Sequence, residues 1–420
     1  MRESESVHGR FKITIIVWGF SIHAKRRIEV FSEDSLFDVS VISNYPYTIQ
    51  DVNVFLLPSG KREIEKKTRD AKKPKDEKKL NDIADTSFIK REILFVLKKI
   101  QAGFREIFRS LIDIISMSQI IRNCNPAIVF LQTLSYPSYL YFFVPTKIPL
   151  IITFWNGDVI WWAKNTLLEM ILKKQIIRWG LKRAKAITVN SNAAYDACIS
   201  MNKDPSQIHL IRYPGVDVDK FKPGNKSESR KKLQIESNFV ILWPRGANYY
   251  NNYKTLLRAI PILVNQYPTI LIVMLQVIEG EPSHAEIETW IMKNPEYRSN
   301  ILIKGVIPYE SMPDYYNASD VMISLSSNDS LPNCMLEAMA CKTPLIMGDI
   351  KQIREWVIDG KNGYLIPVHD DAALINRIKK VIENENGEVN CFKNQNRILI
   401  ENNFNSLKIK ERIKELVLNN

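Results

Sequence analysis

Two successive rounds of short, unbroken apolar runs, separated by amphipathic stretches, restrict the fold of this chain more than any other feature. The first round contains residues 12–18 (KITIIVW), 37–43 (FDVSVIS), 52–57 (VNVFLL), 127–133 (AIVFLQT), 149–155 (PLIITFW) and 186–191 (AITVNS). Runs that are continuous rather than alternating mark strands buried on both faces, as in parallel sheets. Helical periodicity occupies 87–122, stopped by Asn125-Pro126, and 165–183. Turn-forming residues then cluster at Tyr213-Pro214-Gly215 and Pro223-Gly224-Asn225, and the pattern restarts. The second round has strand-like runs at 239–243, 270–275, 301–304, 321–325 and 343–348, with helices over 255–266 and after Pro332. Strands alternating with helices at this pace predict an α/β fold of two parallel-sheet domains. The expected boundaries are 1–215 and 216–400. Residues 401–420, carrying an amphipathic helix, are expected to pack back on the first domain. Ligands of open parallel sheets bind beyond the strand C-termini, so an interdomain cleft is the expected site.

Composition narrows the function classes. The 420 residues are 45% hydrophobic and 25% charged, which suits a globular protein. Five scattered cysteines without a C-x-x-C pair exclude a disulfide scaffold and a cysteine zinc site. No apolar run reaches the length of a membrane span, and 1–12 (MRESESVHGRFK) lacks the order of a signal peptide, so a cytoplasmic protein is expected. The net charge is +12, and 61–80 contributes +5 of it with almost no apolar residue, which reads as a solvated loop. An excess of basic charge suits an anionic membrane surface, or simple solubility. Nucleic acid would want a recognised binding module, and none is present. Residues 94–121 fit an interfacial helix or a core helix equally.

The chemistry concentrates in 324–348, SLSSNDSLPNCMLEAMACKTPLIMG. A strand ends at Leu325, a polar loop follows, and Asp329 or Ser330 is placed to cap the helix that begins near Pro332. Glu337 is the lone charge between Asp329 and Lys342, on a helix apolar all round and therefore buried. A buried carboxylate needs partners. Those are backbone donors of a neighbouring loop or, in a binding site, vicinal hydroxyls such as those of a ribose. The amides opening the helix would then face an anion.

The Asp329 to Glu337 spacing and the string LPNCMLEAMACKTPLI resemble the C-terminal signature of family 4 glycosyltransferases. Four further segments are similar to that family in order and spacing: TFWNGDV at 153–159, RYPGVDVDKFKP at 212–223, GVIPYESMPDYYNASDVMIS at 305–324 and IREWVIDGKNGYLI at 353–366. The resemblance implies the GT-B fold, two Rossmann-like domains facing a cleft. It also implies a retaining enzyme that moves a sugar from a nucleotide-sugar donor to an acceptor such as a lipid-linked or cell-surface polysaccharide precursor. By it, Glu337 binds the donor ribose and Asp329, where the family usually has Glu, lies near the donor sugar. Gly305 lines the nucleobase pocket, and Ser330, Leu331, Pro332 and Asn333 form the donor loop. Arg245 and Lys254 contact the diphosphate, whose charge grows as it leaves. On the acceptor side stand His23, Trp155 (at a position where many members have His) and Asp158, which either orients an acceptor hydroxyl or caps a helix. Lys342 replaces a Gly common at the end of the signature helix. No metal or other cofactor is implied. Association with the inner face of the cell membrane is compatible with such acceptors. Other GT-B enzymes, an epimerase or a phosphorylase, and a non-catalytic sugar-nucleotide binder are the alternatives.

Overall fold

The computed structural model describes residues 9–17, 19, 22–62, 88–135, 137–159, 167–329, 331–384 and 387–420. Beyond Lys61 and Arg62, the basic loop expected at 61–80 lies outside these residues, as does Ser330. The chain divides into two compact units, Met1–Ile211 with Ile413–Asn420, and Arg212–Arg412.

The first unit holds seven strands: β1 (Phe11–Val17), β2 (Phe37–Ser43), β3 (Asn53–Leu56), β4 (Ile128–Leu131), β5 (Leu150–Phe154), β6 (Ala186–Val189) and β7 (Ile208–Leu210). They form one all-parallel sheet in the order β3-β2-β1-β4-β5-β6-β7. Every residue of β4, β5 and β6 is buried, which is why these runs read as continuously apolar. Helix Phe88–Cys124 contributes Met117 and Ile121 to the core, and helix Leu167–Arg183 contributes Ile177 and Leu181. The long helix has a core side and an exposed side. Its Met117 side is core, whereas Ile107, Phe108, Leu111 and Ile115 face solvent. On helix Ile22–Ser32, the buried Arg27 donates to Thr153 Oγ1 at 2.7 Å and lies 5.2 Å from the Phe130 ring. Lys414, near the end of the chain, pairs with Asp34 at 2.7 Å, and that bond holds the Asp34 carboxyl below its ordinary range.

The second unit holds β8 (Phe239–Trp243), β9 (Ile270–Met274), β10 (Ile301–Ile303), β11 (Val321–Ser324), β12 (Leu345–Gly348) and β13 (Tyr364–Ile366). They too form an all-parallel sheet, in the order β10-β9-β8-β11-β12-β13. Helix Tyr253–Gln266 buries Leu256, Ile260 and Leu263 against one face, and helix Asn333–Ala340 buries Met335, Leu336 and Met339 against the other. Near the start of this unit Gly215 has φ +71°, and a Cβ there would stand 2.5 Å from the Phe404 carbonyl oxygen. Only glycine lets the chain pass so close. The neighbouring Val216 bridges to Asn405, which ties the start of the unit to its end.

The edge strands β7 and β13 were not anticipated. Each is three residues long, and the apolar run of β7 is broken by His209. In each sheet chain order reverses at the centre, between β1 and β4 and between β8 and β11. The crevice outside the strand C-termini at such a reversal is where open α/β sheets bind ligands.

Candidate functional site

In the second unit that reversal point gathers the signature residues. Arg245 follows β8 and Asp329 follows β11, the adjacent strand, and Arg245 Nη1 donates to Asp329 Oδ2. Neither side chain is sealed off: the arginine is 28% exposed and the aspartate 14%. Burial opposes the charge on Arg245, but the Asp329 carboxylate more than offsets it, so the guanidinium pKa rises above its ordinary value. The two loops that carry this pair are sewn together. Asn252 Nδ2 donates to the Leu325 carbonyl at 2.6 Å, and the Ser327 amide donates to the Tyr250 carbonyl at 2.8 Å. Asn252 sits at φ +56°, a left-handed position that Asn tolerates better than most residues.

Helix Asn333–Ala340 opens beside this pair. Its N-cap is Pro332, which supplies no side-chain hydrogen bond. Of the two caps expected, Asp329 is instead drawn to Arg245, because a guanidinium is a stronger partner than a helix amide, and Ser330 lies outside the described residues. A proline at this N-cap position leaves amide donors and the positive end of the helix dipole for another acceptor. Leu331 is buried under the loop, and Asn333 is the first helical residue. Glu337, at 7% exposure, accepts from Tyr316 Oη at 2.8 Å. Burial first, and then the Glu337 charge, push the Tyr316 hydroxyl well above its ordinary pKa, so it remains a donor. The nearby Cys334 thiol is pushed up to about 12, chiefly by burial, and is inert at neutral pH. Tyr316 was not singled out in the sequence. Its partnership joins helix Met312–Ala318 to helix Asn333–Ala340, and no local pattern announces it.

Gly305 lies in the exposed loop after β10, where its carbonyl accepts from the Gln276 amide at 3.0 Å. Lys254 is not drawn to Arg245. It sits on the first turn of helix Tyr253–Gln266 and pairs with Glu286 at 2.7 Å, while Tyr253 donates to the same carboxylate at 2.6 Å. Both members of the Lys254 pair are largely exposed. They line an apolar pocket of about 500 Å³ between helices Tyr253–Gln266 and Pro282–Lys293, with Leu257 and Trp290. Lys342 adopts φ +60° after the helix, the position at which Gly is favoured, and donates to Asn394 Oδ1 at 2.8 Å.

In the first unit Asp158 lies in the short helix Asn156–Val159 that follows β5. Its carboxylate accepts from Thr133 Oγ1 at 3.0 Å and from the Trp155 amide at 2.9 Å. Burial pushes its carboxyl above the ordinary range against those hydrogen bonds. The Trp155 indole donates to the Gln132 carbonyl at 2.9 Å. Trp155 and Asp158 thus lock the loop after β5 to the loop after β4, and Thr133, not anticipated, completes that lock. His23 lies on helix Ile22–Ser32, and its side chain is outside what the structure describes. Among the described residues no group of three His, Cys, Asp or Glu side chains is placed to hold a metal ion.

Comparison with known proteins places this arrangement. The model of glycosyl transferases group 1 matches residues 225–403, and that of glycosyltransferase family 4 matches 70–220. The D-inositol 3-phosphate glycosyltransferase of Saccharomonospora viridis is 27% identical over 199 residues, 44% of this chain and 45% of that protein. The enzyme of the same name from Thermobifida fusca is 26% identical over 184 residues, 42% of each. The chain thus spans about half the length of the curated relatives it matches. Among solved structures, a glycosyltransferase from Rickettsia africae superposes with a TM-score of 0.71 at 16% identity, covering 97% of this chain and 98% of that one. Anabaena HepE in complex with UDP-glucose superposes at 0.70 with 14% identity, covering 98% and 100%. Those two likenesses carry the fold alone. With two parallel sheets, the Asp329–Glu337 signature at the reversal of the second, and family models matching both halves, the chain belongs to the group 1 and family 4 glycosyltransferases of GT-B fold.

Proposed function

We propose that this chain is a retaining glycosyltransferase that takes a sugar from a nucleotide-sugar donor and passes it to a saccharide or lipid-linked acceptor at a membrane face. The observation that carries this reading is the convergence of Arg245, Asp329, Glu337 and the N-terminus of helix Asn333–Ala340 at the reversal point of the second sheet. Glu337 would accept from the two ribose hydroxyls. Arg245 would leave Asp329 in part to meet the diphosphate, with the first helical amides beside it. Charge on that leaving group grows in the transition state, so donors already in place lower the barrier. Asp329, released in part by Arg245, would face the donor sugar. Anabaena HepE, bound to UDP-glucose, supports a uridine nucleotide as the first donor to try. Retention follows the family resemblance. We also propose that activity needs no divalent ion, since Arg245 and the helix amides can meet the diphosphate charge. Trp155 and Asp158 would shape the acceptor side from the first unit.

The test is a thermal-shift screen against UDP, GDP and ADP and their sugars. A ligand at 100 times its dissociation constant stabilises by about 2.7 kcal/mol. Release of nucleoside diphosphate is then followed with and without saccharide and polyprenyl-linked acceptors, with the anomeric configuration of the product read by NMR, and repeated in EDTA. No shift with any nucleotide overturns the donor assignment. An inverted product overturns retention, and loss of turnover in EDTA overturns the metal-free reading.

A further inference from the structure

The long helix Phe88–Cys124 turns an apolar stripe to solvent. Ile107, Phe108, Leu111 and Ile115 are each between 52% and 63% exposed, while Asp113, Met117 and Ile121, on the other side, are buried. The spacing of Phe108, Leu111 and Ile115 belongs to a longer series. In the sequence the steps four, four, three, four, four, three, four run from Ile89 through Ile93, Leu97, Ile100 and Phe104 to Ile115. The exposed part, from Ile107 to Ile115, extends about 12 Å at 1.5 Å per residue.

The stripe has neighbours of the same character. The turn Ser138–Phe143 packs against both this helix and helix Leu167–Arg183. Arg183 fixes it by donating to the carbonyls of Tyr141, Phe142, Val144 and Thr146. Phe143 and Trp179 meet edge to face at 6.1 Å, and both are exposed. Exposed apolar side chains gathered on neighbouring elements mark interaction surfaces.

Charge decides between occupants. Residues 105–122, 137–147 and 170–183 contain two acidic side chains, Glu106 and the buried Asp113. Against them stand Arg105, Arg109, Lys147, Lys174, Arg178 and Lys182, all exposed. Two copies pairing through this face would bring like charges together. An anionic bilayer offers hydrocarbon to the stripe and negative headgroups to its basic border, with tryptophan and phenylalanine at the boundary. We infer that this face of the first unit is an interfacial docking surface for an anionic phospholipid membrane, laid flat rather than inserted. No helix among the described residues is long and apolar enough to cross one. The inference deepens the membrane side of the proposed function and rests on that reading only for its biological purpose.

The experiment is sedimentation of the full chain with vesicles of phosphatidylcholine alone and of phosphatidylcholine with phosphatidylglycerol at 7:3, at low and moderate salt. Binding is expected to the anionic vesicles and to weaken with salt. Phe108→Asp with Leu111→Asp should lower the partition coefficient at least tenfold, and Arg105→Glu with Arg109→Glu should lower it at low salt. All four side chains are exposed, so unchanged thermal melting checks the fold. Unchanged partition of the Asp variant overturns the surface, and assigns any residual binding to another segment such as the basic 63–80. Equal binding to neutral vesicles overturns the choice of an anionic partner. A chain that is dimeric by light scattering, and that the Asp variant makes monomeric, assigns the face to a second copy. Nucleotide thermal shifts measured on the same samples keep the donor reading separate: their absence overturns that reading and leaves the vesicle result standing.

Discussion

Arg245 and Asp329, 84 residues apart, meet as an ion pair across the ends of two adjacent strands, β8 and β11. In the proposed function the donor diphosphate would compete with Asp329 for the guanidinium. Arg245→Ala should lower kcat by about 10²-fold, the usual cost of losing one preorganised donor to developing charge, and should destabilise the second unit by about 1–3 kcal/mol through loss of the charge-assisted bond to Asp329. Steady-state kinetics and denaturant unfolding of Arg245→Ala, Asp329→Asn and the double variant measure the coupling. Turnover unchanged in Arg245→Ala would remove the residue from the site.

Glu337→Gln should preserve the fold, because the amide oxygen still accepts from Tyr316. Charge-assisted acceptance is lost, worth about 1.5–3 kcal/mol per hydrogen bond, so kcat/KM for the donor should fall roughly tenfold to a hundredfold. Tyr316→Phe separates positioning from binding: it should move KM and spare kcat relative to Glu337→Gln.

Lys254→Ala should change little. Its partner Glu286 is half exposed, and such solvent-screened surface pairs contribute little. Nucleoside diphosphate affinity by calorimetry should match that of the parent chain. A tenfold loss would mean that Lys254 leaves Glu286 for the diphosphate when donor binds.

Asp158 has its carboxyl raised from 3.8 by burial. The folded form then holds its proton more tightly than the unfolded one. Stability from this group is therefore fully present below pH 3.8 and is lost as pH rises toward the folded pKa. Asp158→Asn, which keeps an acceptor for Thr133 and for the Trp155 amide, should remove that slope. The melting temperature of the variant should gain on that of the parent as pH rises from about 4 to 7. Parallel melting curves across that range would show that the carboxyl is not raised.

Lys342→Gly relieves a left-handed position that costs a side chain about 1–2 kcal/mol. The exposed bond to Asn394 offsets little. The unfolding midpoint of the second unit should rise by about 2–4 °C, with kcat unchanged, as read by calorimetry and kinetics.

Much of this protein is written locally. Continuous apolar runs require strands buried on both faces, and the strand–helix alternation then requires parallel sheets, which two rounds of it supply. The lone Glu337 on an apolar helix announces a buried carboxylate, because a charge there must have a partner. Asp370 makes an equally local contact, capping helix Asp371–Glu383 as its side chain accepts from the Ala373 amide at 2.8 Å. What sequence could not decide was direction and company. Lys254 turns to Glu286, Asp329 turns from its helix to Arg245, and Tyr316 reaches Glu337, each choice set by which strands and helices end side by side. Periodicity on helix Phe88–Cys124 showed that it has distinct faces, but only the packing of Met117 and Ile121 against the sheet determined which side was left for solvent. A side chain's partner is chosen by distance in space, and the order of residues along the chain carries that distance only after the fold has closed.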